Sequence, residues 1–486
     1  MVRYVISLVV LLAAGLGLLP VGRATAQPLP RDTTQLVFTL TDLFTHVTLR
    51  HPVARQAGLL PERAQQEIRY ARGLLDPSVS SKYYGKTLGS KDYFNTWDNA
   101  LKVPVWFGFD VKAGFERNVG TYVSQQIRTP ESGLSYLGIS VPLAQGLLID
   151  ERRAAIRQAQ ALVGLAEAER RGALNKLLLS AAKDYWEWSL SHQRLELLRL
   201  NAELAEVRFR AVRERVRQGD LAAIDSVEAL TELQNRQAQL VQARVQWQNV
   251  TLLISNYLWD EQNQPRELPP TARPEALPAP TAWRSLSPDS VQALVNLASQ
   301  IHPELAKTRA KLNQLGIERR LLSNKLLPKL SVDYNLLRTG QPFQPEGDMQ
   351  WTNTYFANNY KLGLSFQYPL LLRQERSKLQ LNQLKRREAE LDLQQDTREV
   401  QTTVRTVAND WEALREQLRV QEQVVENSQK LRNGEQIRFE NGESSVFLLN
   451  SREASLVSAR IKLAELQAKY AQTQATLRWA AGGDLE

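Results

Sequence analysis

Between Asp150 and Arg217 apolar residues recur in alternating steps of three and four, at Leu174, Leu178, Ala181, Tyr185 and Trp188, then at Leu195, Leu198, Ala202, Ala205, Phe209, Val212 and Val216. A period near 3.5 in a stretch without proline predicts one continuous helix packed in a coiled-coil seam. Val400, Val404, Val407, Trp411, Leu414, Leu418 and Val425 repeat the pattern in the second half. At 1.5 Å per residue, a helix of about 65 residues is about 100 Å long, more than any compact domain needs. Gly219 and Gly442 interrupt the two patterns, and glycine suits the left-handed turn that closes a helix. A second coiled helix follows each, from Asp225 to about Tyr257 and from Ser445 to about Trp479. Each half of the chain is thus predicted to end in a long antiparallel helical hairpin, over about 150–257 and about 373–480.

A different period marks the strands. From Tyr360 to Tyr368 the odd and even positions separate: Tyr360, Leu362, Leu364, Phe366 and Tyr368 make one face, Lys361, Gly363, Ser365 and Gln367 the other. Aromatics at both ends of an apolar face with leucines between are the pattern of a lipid-facing barrel strand, although a half-buried soluble sheet alternates too. Leu330 to Leu336 alternates in the same way, Leu137, Ile139 and Val141 make a clear face, and Val79, Ser81 and Tyr83 a weaker one. Four strands are expected, at about 77–86, 134–142, 329–338 and 358–369. The apolar run Val105 to Val111 is read as part of an external loop pairing with Thr121 to Ile127. Helices on both sides of each strand block share a compartment only if the block crosses the membrane an even number of times. Four strands cannot close a barrel, for which about eight is the practical minimum, so the chain is expected to oligomerise, and three copies give twelve.

The halves are a repeat. His51-Pro52 and His302-Pro303 are each followed 25 residues later by a further proline, Pro77 and Pro328, and an alternating stretch, at a common offset of 251 residues. Further on, Trp186-Glu187 recurs as Trp411-Glu412 and Gln218-Gly219-Asp220 as Asn441-Gly442-Glu443, at offsets of 225 and 223. The change in offset places an insertion of about 27 residues between Pro77 and Glu151. Residues 27–258 form the first repeat and 289–486 the second. The segment 259–288 between them holds Pro265, Pro269, Pro270, Pro274, Pro278, Pro280 and Pro288 and reads as an extended linker. Ahead of the first repeat, Arg3, the apolar run Val5 to Leu19 and Ala24-Thr25-Ala26 have the form of an export signal over residues 1–26. No cysteine follows that run, which excludes a lipoprotein, and no later run is apolar enough for a membrane helix. Membrane insertion must then be as a β-barrel.

Composition narrows the chemistry. The 486 residues hold no cysteine, 61 Lys+Arg against 52 Asp+Glu, and four histidines, so disulfides, thiol catalysis and Cys-ligated metal are excluded. His46, His51, His192 and His302 have no ligand spacing; His51 and His302 mark helix starts ahead of proline, and His192 falls near the seam. No nucleophile elbow, zincin or phosphate-loop motif occurs, so no enzyme, metal or cofactor is expected. Charges interleave by sign, as in Glu151-Arg152-Arg153 and Arg386-Arg387-Glu388, and read as solvated helix faces with no nucleic-acid surface.

An export signal, two similar halves, two strands per half, two coiled hairpins and a connecting segment together resemble the TolC family of bacterial outer-membrane efflux proteins, over essentially the whole mature chain. The turn Gly219-Asp220-Leu221-Ala222-Ala223-Ile224-Asp225 matches the family's hairpin pattern of glycine followed six residues later by aspartate. The block Ile149-Asp150-Glu151-Arg152-Arg153 is similar to Bacteroidetes-type members. The resemblance implies a mostly α chain whose four strands join a homotrimeric twelve-stranded outer-membrane barrel, continued by an α-helical tunnel through the periplasm. It further implies a passive exit duct of a tripartite efflux or type I secretion system, with outer-membrane lipid, a periplasmic adaptor (membrane fusion) protein and an inner-membrane pump as partners. By position, Gln218, Gly219, Asp220, Asp225, Asn441, Gly442, Glu443 and Leu448 would form the tips that gate the tunnel and meet the adaptor. An acidic ring at the entrance is a family feature, but Leu448 stands six residues after Gly442. Asp225 is equally a carboxylate in the first turn of a helix, where the dipole favours it. The competing expectation is an exported structural coiled-coil scaffold with a soluble β-collar.

Overall fold

The computed structural model describes residues 37–269, 271–341, 344–345 and 359–483. The expected export segment 1–26 and the first residue of the expected strand 358–369 lie outside the described residues.

Two helices of 68 residues dominate the molecule, α3 (Glu151–Gln218) and α7 (Arg373–Glu440). Each turns back into a shorter helix, α4 (Ala223–Ser255) and α8 (Val446–Ala480). Asp150 starts α3 by accepting from the Arg153 amide at 2.9 Å, and Gly219 ends it at φ 82°, the left-handed cap a side chain would strain. Of the seam residues, Leu178, Ala181, Tyr185, Trp188, Leu198, Ala202, Ala205 and Val212 are buried on α3, and Val400, Val404, Val407, Trp411, Leu414 and Leu418 on α7. Trp186, the repeat partner of Trp411, is only partly buried; Trp188, two residues on, fills the first core. No described helix is long and apolar enough to cross a membrane.

Shorter helices brace this pair: α1 (Leu40–Arg50) and α2 (Pro52–Arg72) in the first half, α5 (Pro288–Ile301) and α6 (Pro303–Asn324) in the second. His51 and His302 cap α2 and α6 as expected, their Nδ1 atoms accepting from the amides of Val53 at 3.2 Å and Glu304 at 3.4 Å. The proline-rich connection is a fastened strap. Its β6 (Arg273–Pro274) runs parallel to β1 (Val37–Phe38), and Leu268, Ala272 and Leu277 are buried. Tyr185 ties it to the seam: its hydroxyl donates to the Phe38 carbonyl at 2.8 Å and accepts from the Glu275 amide at 3.0 Å.

The sheet corrects the expected strand count. Six long antiparallel strands lie side by side: β2 (Ser78–Leu88), β3 (Lys91–Pro104), β4 (Asp110–Val119), β5 (Leu134–Pro142), β7 (Lys329–Gln341) and β9 (Tyr360–Gln367), with the two-residue β8 (Gln344–Pro345) on the end of β7. The first half thus gives four strands where two were expected, and Val105 to Val111 is a tight turn followed by the start of β4, not an external loop. The physical reason is hydrogen-bond satisfaction: the inserted residues carry polar groups that are paired across strands, so β3 joins β2 along its whole length and β4 on its other side. Tyr368 stands just past the end of β9.

Candidate functional site

The register of the sheet sorts its residues into two surfaces. One row runs Val103, Val111, Ile139 and Tyr334, the next runs Val79, Leu101, Ala113, Leu137 and Leu336, and further out on the same face a row runs Tyr83, Trp97 and Arg117. On β9, Tyr360, Leu362, Leu364 and Phe366 continue this face, pairing with Leu336, Tyr334, Val332 and Leu330. Leu364 is 71% and Phe366 68% exposed, so the lipid-type face picked from sequence is one open apolar surface, with the Tyr334 and Tyr360 rings stacked at 5.9 Å.

The opposite surface is polar and internally paired. Lys112 reaches Asp333 at 2.7 Å, Lys102 reaches Asp110 at 3.0 Å, and the Ser331 and Ser365 hydroxyls lie 2.6 Å apart. Gly138 makes this possible: a Cβ there would lie 2.1 Å from Asn335 Oδ1. The sheet thus presents one mainly apolar surface and one charged surface.

At the far end, the two hairpin tips meet. Val212 and Ala229 of the first hairpin pack with Val446 of the second, flanked by Phe209, Val216, Leu221 and Phe439. Gln218 closes α3, and Gly219 and Asp220 donate backwards to Val216 and Arg215 at 3.1 and 2.9 Å. Asn441, Gly442 and Glu443 form the second turn, Glu443 N donating to the Arg438 carbonyl at 2.8 Å. Asp225 accepts from the Ala222 amide at 3.2 Å, so it caps α4. Leu448 lies in the first turn of α8, its amide donating to Ser445 Oγ at 3.3 Å. Around these turns Ile224, Val227, Phe447 and Leu448 are exposed. All eight expected tip residues therefore sit at two adjacent turns, where exposed Asp220 and Glu443 stand among the apolar side chains.

A second constellation was not anticipated. Glu453 of α8, with its side chain 4% exposed, is surrounded by three guanidiniums. Arg208 of α3 makes a two-pronged pair with it, Arg236 of α4 donates at 3.0 Å and Arg432 of α7 at 3.2 Å. Asn450 and Asn201 accept from Arg208 and Arg236 at 2.9 and 3.0 Å, and Glu232 accepts from Arg236 at 2.7 Å. Burial pushes the Glu453 carboxyl up, but Arg208 and Arg236 outweigh it and hold it down to about 2. The network joins all four long helices above the tips. Its sequence signal was a charge on a seam position: Arg236 continues the spacing Ala229, Leu233, and Glu453 the spacing Val446, Leu449. The expected solvated charge face also fails at Arg153, which is 7% exposed and donates to the carbonyls of Gly146 and Leu147.

The family model described as outer membrane efflux protein matches residues 108–256 and 294–483. Among solved structures, the chain is similar to the Campylobacter jejuni CmeC outer membrane channel, at 14% identity and TM-score 0.62, covering 91% of this chain and 85% of that one. The Vibrio cholerae outer membrane protein VceC gives 14% identity and TM-score 0.62 over 92% and 97% of the two chains. The open state of the Neisseria gonorrhoeae MtrE outer membrane channel gives 15% and 0.62 over 92% and 89%. These likenesses show the fold. No curated protein sequence matches the chain.

Proposed function

Because the chain belongs to the outer membrane efflux protein family and is in general terms an outer-membrane exit duct, of a kind that is not an enzyme, we propose that it serves a tripartite efflux or type I secretion system as its passive final conduit. In this reading the molecule is a homotrimer, with residues 27–258 and 289–486 as its two repeats. The sheet sits in outer-membrane lipid, and the helices continue the lumen into the periplasm. The single observation that carries it is the coupling of a sheet with one apolar and one charged surface to two hairpins whose longer helix runs about 100 Å before ending in adjacent turns.

The chemistry asked of such a duct is small. The charged inner face keeps water in the lumen, and the exposed Ile224, Val227, Phe447 and Leu448 give the tips an apolar docking surface for a periplasmic adaptor, behind which an inner-membrane pump supplies the energy. Glu453 and its three arginines hold the two hairpins of one copy together, so that a tip moves as a unit. Negative-stain imaging of the detergent-extracted outer-membrane fraction tests the proposal. A threefold particle with a tunnel of about 100 Å is expected; a soluble rod absent from that fraction would overturn it in favour of the scaffold.

A further inference from the structure

We infer that all six long strands of each copy enter the barrel wall, so that β2 of one copy pairs with β9 of the next and three copies close eighteen strands. This rests on the trimeric duct proposed above and departs from the twelve strands that the family resemblance implies.

The inserted strands β3 and β4 run the full height of the sheet. Their connecting turn lies at the helical end, where Val105 donates to Phe109 at 2.9 Å and Gly108 to Val105 at 3.0 Å. It is pinned there. Arg152, in the first turn of α3, donates to Asp110 at 2.8 Å, and Gly108, at φ 94°, leaves so little room that a Cβ would lie 2.6 Å from the Arg153 guanidinium. The opposite ends, the turn at Gly89-Ser90 and the loop after β4, lie together away from the helices, with the Tyr93 and Tyr122 rings 4.6 Å apart. At 14 and 10 residues, both strands meet the span of about 9–11 residues that a tilted membrane strand needs.

Their side chains are in phase with the rest of the wall. Trp97 and Leu101 of β3 and Val111 of β4 continue the apolar face, while Asp98, Lys102 and Lys112 continue the charged one. Two pairs of polar groups that fall on the apolar side of β2 and β3 answer each other there: Trp97 Nε1 donates to Ser81 Oγ at 3.1 Å and Asn95 Nδ2 to Tyr83 Oη at 3.0 Å. An external flap has no need of this alternation.

The two edges fit each other. β2 is exposed along its whole length and β9 nearly so. Because the six strands alternate in direction, β2 leads away from the helices and β9 returns to them, which makes them antiparallel partners across a copy boundary. An open edge in lipid leaves backbone groups without partners, and a second copy of this chain supplies the complementary edge at each end. With strands 4.8 Å apart and tilted by about 40°, eighteen give a ring about 36 Å across and twelve about 24 Å. Twelve long helices spaced about 8–10 Å apart make a tunnel about 31–38 Å across, a width that eighteen strands match and twelve do not.

The chain has no native cysteine, so single thiols can report the topology. Ser90→Cys should react with a membrane-impermeant maleimide on intact cells, and Phe107→Cys only after the outer membrane is permeabilised, with at least a tenfold lower signal before; Trp106→Cys serves if Phe107→Cys fails to assemble. Equal labelling of both turns on intact cells would overturn the inference, since β3 and β4 would then be an external flap. End-on class averages of the unsubstituted particle decide independently: a ring of about 36 Å supports eighteen strands and one of about 24 Å overturns them. A particle without threefold symmetry or outside the membrane fraction sinks the duct itself, whereas a threefold particle with the narrow ring sinks only the six-strand closure.

Discussion

Arg236 of α4 and Glu453 of α8 stand 217 residues apart in sequence and pair at 3.0 Å, each with a side chain almost wholly withdrawn from solvent. Taking two charges out of water is costly, and removing one of them strands the other. Here one carboxylate serves Arg208, Arg236 and Arg432 together. Glu453→Gln should therefore destabilise the helical body by about 3–5 kcal/mol, read as a drop in thermal unfolding temperature. A loss under 1 kcal/mol would mean that the arginines find other partners.

The same group makes stability depend on acid. Its folded value, about 2, lies below the ordinary carboxyl value of 4.5, so the stabilisation is complete above pH 4.5 and is lost as pH falls from there towards 2. The size of the shift corresponds to about 3 kcal/mol. Unfolding temperature measured from pH 6 to pH 3 should fall more steeply for the unsubstituted protein than for Glu453→Gln, and parallel curves would refute the assignment.

Leu364 lies mid-strand on the open apolar face, opposite Val332. A lysine there costs about 2–4 kcal/mol in the bilayer midplane. Leu364→Lys is expected to remove the protein from the outer-membrane fraction, while Ser365→Lys on the charged face should leave it in place. Normal fractionation of Leu364→Lys would point to a soluble collar.

Gly219 and Gly442 adopt φ 82° and 77°, and open space surrounds the position of an added Cβ at each. The cost of Gly219→Ala is then purely that of the left-handed backbone, about 1 kcal/mol, with Gly442→Ala similar and the pair additive. Chemical denaturation of the single and double variants checks this. A cost well above that would reveal contacts across the tips between copies.

Tyr185 joins three segments through one hydroxyl. Tyr185→Phe leaves the Glu275 amide and the Phe38 carbonyl without their partner, at about 1–3 kcal/mol. The strap over 259–288 should loosen, so limited proteolysis within it should accelerate; an unchanged cleavage rate would show that its apolar contacts suffice.

The helices were legible in the sequence because a seam repeats: Leu178, Ala181, Tyr185 and Trp188 announce their own burial. The strand around Leu364 was legible for the same reason, each second residue being apolar. β3 was not. Asn95 and Asn99 stand on its apolar face and dilute the alternation, and what answers Asn95 there, the Tyr83 hydroxyl, is a neighbour that only folding brings near. The apolar run from Val105 drew attention instead and proved to be the turn. The Glu453 network was hidden because each charge looked like one of many on a helix face, and its partners come from four helices. The tips were placed by two glycines and a repeat offset, which fix where a helix ends but not what its surface binds.

The two long helices have the same length, 68 residues, and end in turns that pack on one another. A single heptad added to one alone would displace its turn by about 10 Å and pull Val446 away from Val212. Changes in tunnel length are therefore admissible only as matched insertions or deletions of equal size in both helices of both hairpins, so each repeat acts as a ruler against which the other is cut.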